Sequence, residues 1–161
     1  MEYSDEFLRG VLDDVKSVAV VGVSTNQVRP SFYVARYLAL KGYRVYPVNP
    51  VYKGQSLFGS KVRPSLKKLA KKASAVHMVD IFRRSEEAEA IVDDALEHLL
   101  DKGLKAIWMQ IGVVNEKAAA KAEAAGLRVV MNRCPKIEYQ RLVGELSMGG
   151  FNSGRLSSRL R

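Results

Sequence analysis

Residues 22–31 have the types and order to hold a phosphate. Gly22 interrupts a Val-rich run, VAVVGV over residues 18–23. Ser24, Thr25 and Asn26 follow with hydroxyl and amide groups, and Arg29-Pro30 stands where a helix can begin. A glycine turn between a buried strand and a helix start lets backbone N–H groups and the helix dipole meet an anion. The run departs from the dinucleotide fingerprint GxGxxG, because Ser24 occupies the second glycine position and Gln27 the third. The chemistry read here is a phosphate-binding turn other than the standard NAD turn.

Such a turn needs strands and helices to position it. Strands are predicted at residues 18–23, 44–48, 75–80, 105–109 and 128–131, each with an apolar core. Helical spacing of Phe7, Leu8, Val11, Leu12 and Val15 predicts a helix over 4–15, capped by Ser4 or Asp5. Further helices are predicted at 31–41 behind Pro30, from Ser85 through Leu99, from Asn115 through Ala125, and at 136–146. Gly42, Gly103 and Gly126 each precede a large apolar residue, a basic residue and a strand, which places them as helix-closing glycines. Strands alternating with helices imply parallel βαβ units with right-handed crossovers. The expected fold is a three-layer, doubly wound α/β domain over residues 1–146, with a five-stranded parallel sheet in the order 3-2-1-4-5. Residues 147–161 form a basic Gly/Ser/Arg-rich tail, expected to be mobile.

Composition narrows the function classes. The chain has 161 residues, one domain by length, and carries one cysteine, so no internal disulfide forms. Its N-terminus is acidic and unlike a signal peptide, and no apolar run approaches the ~20 residues of a membrane span. These features predict a cytoplasmic protein with no membrane partner. The net charge of +9 is local. It resides in Lys61, Arg63, Lys67, Lys68, Lys71 and Lys72, and in Arg155, Arg159 and Arg161 of the tail. A solvated basic helix and a loose tail account for it. Nucleic-acid binding is the second alternative, and no aromatic-interleaved or zinc-finger pattern supports it.

Ligands of open parallel sheets bind beyond the carboxyl ends of the strands. The five exits are Gly22 to Asn26, Asn49-Pro50, Asp80 to Arg84, Gln110 to Gly112, and Asn132 to Pro135. Each is polar or glycine-bearing. An NAD site wants a carboxylate about 20 residues after the glycine loop to bond the ribose, and Asn49-Pro50 occupies that place. This disfavours the first alternative, an NAD(P)-binding oxidoreductase. Arg29, Arg83, Arg84 and Arg133 are placed by sequence for several phosphates at once.

The segments GVSTNQVRPSFYVARYL, YPVNP, VDIFRRSE, IWMQIGVVNE and NRCPKIE together resemble the small stand-alone CoA-binding proteins. Their domain is similar to the nucleotide-binding part of the succinyl-CoA synthetase alpha subunit. The resemblance runs over residues 18–139. It implies a Rossmann-like domain that binds coenzyme A or an acyl-CoA. By position, Gly22, Ser24, Thr25 and Asn26 would approach the pyrophosphate, Arg29 would meet phosphate, and Pro30 and Ser31 would open the helix beside it. Asn49 and Pro50 would border the adenosine. Asp80, Phe82 and Arg83 would line the nucleotide side, and Gln110, Gly112 and Asn132 the pantetheine side. Neither the basic 61–72 segment nor the tail belongs to the shared pattern.

No catalytic set accompanies these residues. Cys134 reads as a small buried residue beneath Pro135, although a thiol near the end of CoA would permit a mixed disulfide. His77 and His98 lack a nucleophile at readable spacing, and Trp108 reads as core. The expectation is a non-catalytic binding module with CoA as its small-molecule ligand. Self-association into a homo-oligomer stays open.

Overall fold

The Val-rich first strand is apolar on both sides because both sides are covered. Val18 and Val20 belong to one hydrophobic core and Ala19 and Val21 to another, and all four are buried. The computed structural model describes residues 2–143. In chain order its strands are β1 (Ser17–Val21), β2 (Arg44–Val48), β3 (Ser56–Leu57), β4 (Ser60–Lys61), β5 (Met78–Ile81), β6 (Ala106–Met109) and β7 (Arg128–Val130). Its helices are α1 (Asp5–Asp14), α2 (Pro30–Leu40), α3 (Leu66–Ala70), α4 (Ala88–Leu99), α5 (Glu116–Ala124) and α6 (Pro135–Leu142). Helices α1, α2 and α6 supply the core on one face of the sheet, and α3, α4 and α5 supply it on the other. This is the three-layer, doubly wound α/β architecture.

The five parallel strands lie in the order β2-β1-β5-β6-β7, with β3 and β4 in a separate antiparallel hairpin. Counting only the five parallel strands, the order is 2-1-3-4-5. It corrects the expected 3-2-1-4-5, which would put the second strand inside the sheet. Pro47 explains the difference. It pairs with Val20 of β1, and its carbonyl points outward to accept the Arg63 N–H at 3.0 Å. An interior strand would need a donor on that outer side, and proline has none. So β2 is an edge, bridged only at Arg63, and the chain crosses to the far side of β1. Strand order then reverses between β1 and β5, and that is where such a sheet opens a crevice.

Local capping follows the sequence at most ends. The Ser4 Oγ accepts the Phe7 N–H at 3.0 Å, and the Asn115 Oδ1 accepts the Ala118 N–H at 2.9 Å. Gly42, Gly103 and Gly126 take φ of 101°, 83° and 92° where their helices or turns close. Ser85 differs from expectation. It opens a short 3-10 turn, and α4 starts only at Ala88. Its hydroxyl accepts the Val114 N–H at 2.9 Å and its carbonyl accepts the Asn115 side chain at 2.9 Å. The loop before α5 takes the hydroxyl that would otherwise have capped α4. The basic segment is also not one helix: Lys61 lies in β4, and only Lys67 and Lys68 lie in the five-residue α3. The expected domain boundary at residue 146 and the tail lie outside the described residues.

Asn115 both caps α5 and ties it to the turn after β5, so its loss removes two interactions. Asn115→Ala is expected to lower stability by about 1–2 kcal/mol. Urea denaturation checks this through a lower midpoint at unchanged slope.

Candidate functional site

The phosphate-type turn is built by a residue that cannot carry a side chain. Gly22 has φ +93°, and a Cβ added there would lie 2.9 Å from the carbonyl oxygen of Phe82. Its N–H donates to Val48 O at 2.9 Å, and the Phe82 N–H donates to Val21 O at 2.9 Å. These bonds hold the exits of β1, β2 and β5 side by side. Beyond Gly22 the loop is folded by its own side chains. Ser31 Oγ accepts the Ser24 N–H at 2.9 Å, Ser24 Oγ accepts the Asn26 N–H at 2.9 Å, and Asn26 Oδ1 accepts the Val28 N–H at 3.1 Å. Ser31, bonded in this way, still has its hydroxyl proton to donate.

A cavity of about 740 Å³ opens at this edge. Its lining contains eight residues singled out in the sequence: Gly22, Ser24, Arg29, Pro30, Ser31, Asn49, Phe82 and Gln110. It also contains Ile111 and Cys134, which lie within two of the strand exits, and Tyr33, Val34, Tyr52, Lys136 and Ile137, which lie outside all five. One signal for several of them was available. Pro30 and Pro135 both stand at the first helical position behind a strand exit. The N-termini of α2 and α6 therefore both border this cavity, and both bring the positive end of a helix dipole to it. Neither N-cap residue, Arg29 or Cys134, makes a side-chain capping bond. Lys136 adds an ammonium, seated 5.5 Å from the centroids of the Tyr33 and Tyr37 rings.

Seven sequence-derived site residues lie outside this lining. Pro50 and Arg83 line a second cavity of about 520 Å³, where Glu86, Glu87 and Asp94 accompany them. Leu66 and Ile91 on its wall belong to the α3–α5 side of the sheet. The Arg83 side chain reaches back to Asn49 Oδ1 at 3.4 Å. Thr25 and Asn26 belong to the self-bonded loop. Asn132, with φ +60°, turns its Oδ1 to the Gly112 N–H at 2.8 Å, so this pair braces two strand exits against each other. Asp80 is wholly buried. The expected cluster of four arginines does not form, and only Arg29 lines the main cavity. Arg84 is ion-paired to Glu87 at 3.0 Å, and the Arg133 guanidinium lies 5.3 Å from the Tyr3 ring centroid.

Asn49 carries a specific chemical consequence. Its Nδ2 donates to Val23 O at 2.8 Å, and its Oδ1 accepts the Val51 N–H at 3.0 Å. The side chain at the NAD-discriminating position thus cross-links β2 to the glycine loop. Histidine chemistry is remote: His77 Nδ1 accepts the Lys16 N–H at 2.9 Å, at the amino ends of β1 and β5. Trp108 Nε1 donates to Arg133 O at 2.8 Å and so fixes the chain just before Cys134.

Residues 16–140 match the model of a family described as the CoA binding domain. The uncharacterised protein YneT of Bacillus subtilis (strain 168) is 31% identical over 132 residues, 82% of this chain and 91% of its own. A hypothetical protein from Pyrococcus horikoshii OT3 superposes with a TM-score of 0.78 at 36% identity, over 88% of this chain and 94% of that one. A protein from Thermus thermophilus superposes with a TM-score of 0.73 at 35% identity, over 87% and 99%. Among the described residues no helix is long and apolar enough to cross a membrane.

Asp80 pairs in register with Val20 and Trp108, and neither carboxyl oxygen has a hydrogen-bond partner. Burial pushes its pKa well above the usual carboxylate range. The folded protein therefore holds a proton that the unfolded chain releases near pH ~3.9. Its contribution to stability is fullest below that pH and is lost as pH rises toward the folded pKa. Asp80→Asn removes the titration. Thermal unfolding between pH 4 and pH 8 should show the wild type losing stability relative to Asp80→Asn as pH rises. A difference independent of pH would contradict the assignment.

Proposed function

This chain belongs to the CoA binding domain family, and from that premise we propose that its main cavity holds coenzyme A. The observation that carries the reading is the position of the cavity. It lies where strand order reverses, at a glycine turn too close to Phe82 for a side chain, with two helix N-termini on its wall. The N-terminus of α2 and the Ser31 hydroxyl, whose proton is free to donate, suit the pyrophosphate, while the N–H groups of Gly22, Ser24, Asn26 and Val28 hold the loop in shape. Arg29 supplies a cation on the same side, as a ligand with a further phosphate calls for. Phe82, half-buried on the same wall, offers a flat apolar surface beside the turn.

NAD fits less well. The ribose-binding carboxylate is replaced by Asn49, whose acceptor oxygen and donor nitrogen are already used within the protein. We read the role as holding the cofactor rather than transforming it. The titratable groups on the cavity wall are Arg29, Tyr33, Tyr52, Cys134 and Lys136. None pairs a nucleophile with a histidine or carboxylate base, the arrangement that covalent or acid–base catalysis uses.

Calorimetry with CoA, dephospho-CoA and NAD tests the reading. CoA should bind tightest and NAD weakest. Arg29→Ala should weaken CoA by about 1.5 kcal/mol, roughly tenfold, through loss of a charged hydrogen bond. NAD binding as tightly as CoA would overturn the proposal.

A further inference from the structure

The main cavity has two chemically different ends. On the β1–α2 side it presents Ser24, Arg29 and Ser31, all able to bond phosphate oxygens. On the β6–α6 side its wall carries Ile111 and Ile137, which are 57% and 49% exposed, beside Cys134 and the Lys136 stem. Single exposed apolar residues are ordinary on protein surfaces. Two isoleucines from different elements, facing one cavity that begins in a phosphate turn, form a patch with a direction. Between the ends stands Gln110. It is more than nine-tenths buried, and its Oε1 has no hydrogen-bond partner in the protein.

We infer that the ligand class of this cavity is an acyl-CoA carrying a short apolar acyl group, seated against Ile111 and Ile137. The inference rests on the CoA reading above. Free CoA ends in a polar amide arm and a thiol, and it leaves the two isoleucines wet. An acyl group on that thiol covers them and places the thioester at the level of Gln110. Gln110 lines the cavity, and its amide N–H can donate to the thioester carbonyl.

Calorimetry on the full chain with CoA, acetyl-CoA and butyryl-CoA tests it. Each fully buried methylene is worth about fourfold in affinity. With partial cover by two half-exposed side chains, butyryl-CoA is expected to bind about tenfold tighter than acetyl-CoA. The double variant Ile111→Ser, Ile137→Ser changes two surface positions and should keep the fold. In it the affinity ratio of butyryl-CoA to CoA should fall to near one. If CoA binds and butyryl-CoA binds no tighter, this inference is overturned and the CoA reading stands. A ratio that survives the double variant also overturns it. If neither CoA nor any acyl-CoA binds, the CoA reading itself fails, and this inference with it.

Discussion

The close approach of Gly22 to Phe82 is the constraint on which the rest of the structure depends. No Cβ fits at residue 22, because an atom there would stand 2.9 Å from a backbone carbonyl that cannot move aside. The chain must also take φ +93° at this point, a conformation glycine adopts at little cost. With both conditions met, β1 can stop, bond its neighbours through Gly22 and Val21, and turn outward between the exits of β2 and β5. Every group on the β1–α2 side of the cavity follows from that turn. Ser24 reaches Ser31, Asn26 closes the loop, and Pro30 starts α2 with its N-terminus facing the crevice.

The crevice has a second support in the chain beyond β7. Trp108, fully buried in β6, donates to Arg133 O and fixes the start of α6. Asn132 braces Gly112, so the exits of β6 and β7 are held to each other. Two helix N-termini thus converge on one cavity for separate local reasons, each with a proline at its first helical position. The positive ends of the dipoles add at short range, which favours an anionic ligand there.

Asp80 works against stability and is tolerated. A wholly buried carboxyl with no partner costs free energy, and it resists ionisation because desolvation penalises the charged form. It sits in the same sheet face as Met78 and Trp108, one side-chain row below Phe82 and Gln110 on the cavity wall. Buried polar groups of this kind need an explanation in a native structure. Asp80 lies one row below the cavity wall, on the same face as Gln110, whose side-chain oxygen is also unpartnered.

The elements and the glycine turn were legible in the sequence because their causes are local. Val-rich strands, capping Ser4 and Asn115, and the helix-closing glycines each act within a few residues. Gly22, Ser24, Arg29 and Ser31 were legible for the same reason, as were the polar exits of Asn49, Phe82 and Gln110. Strand order was not, since it depends on which edge a distant strand pairs with. Pro47 carried a signal for it, because a missing donor marks an edge, but only the bridge to Arg63 showed which side was outermost. That order sent Pro50 and Arg83 to a cavity on the opposite face and left Arg29 the only one of the four arginines on the main wall. It also brought Ile111 and Ile137 to the mouth, where no local pattern could have placed them. Periodicity, capping and a glycine specify, from the chain alone, a parallel α/β domain with a glycine turn after its first strand. The tertiary structure alone decided which exits share a cavity, because a residue's face and neighbours are set by long-range pairing, not by its own surroundings in the chain.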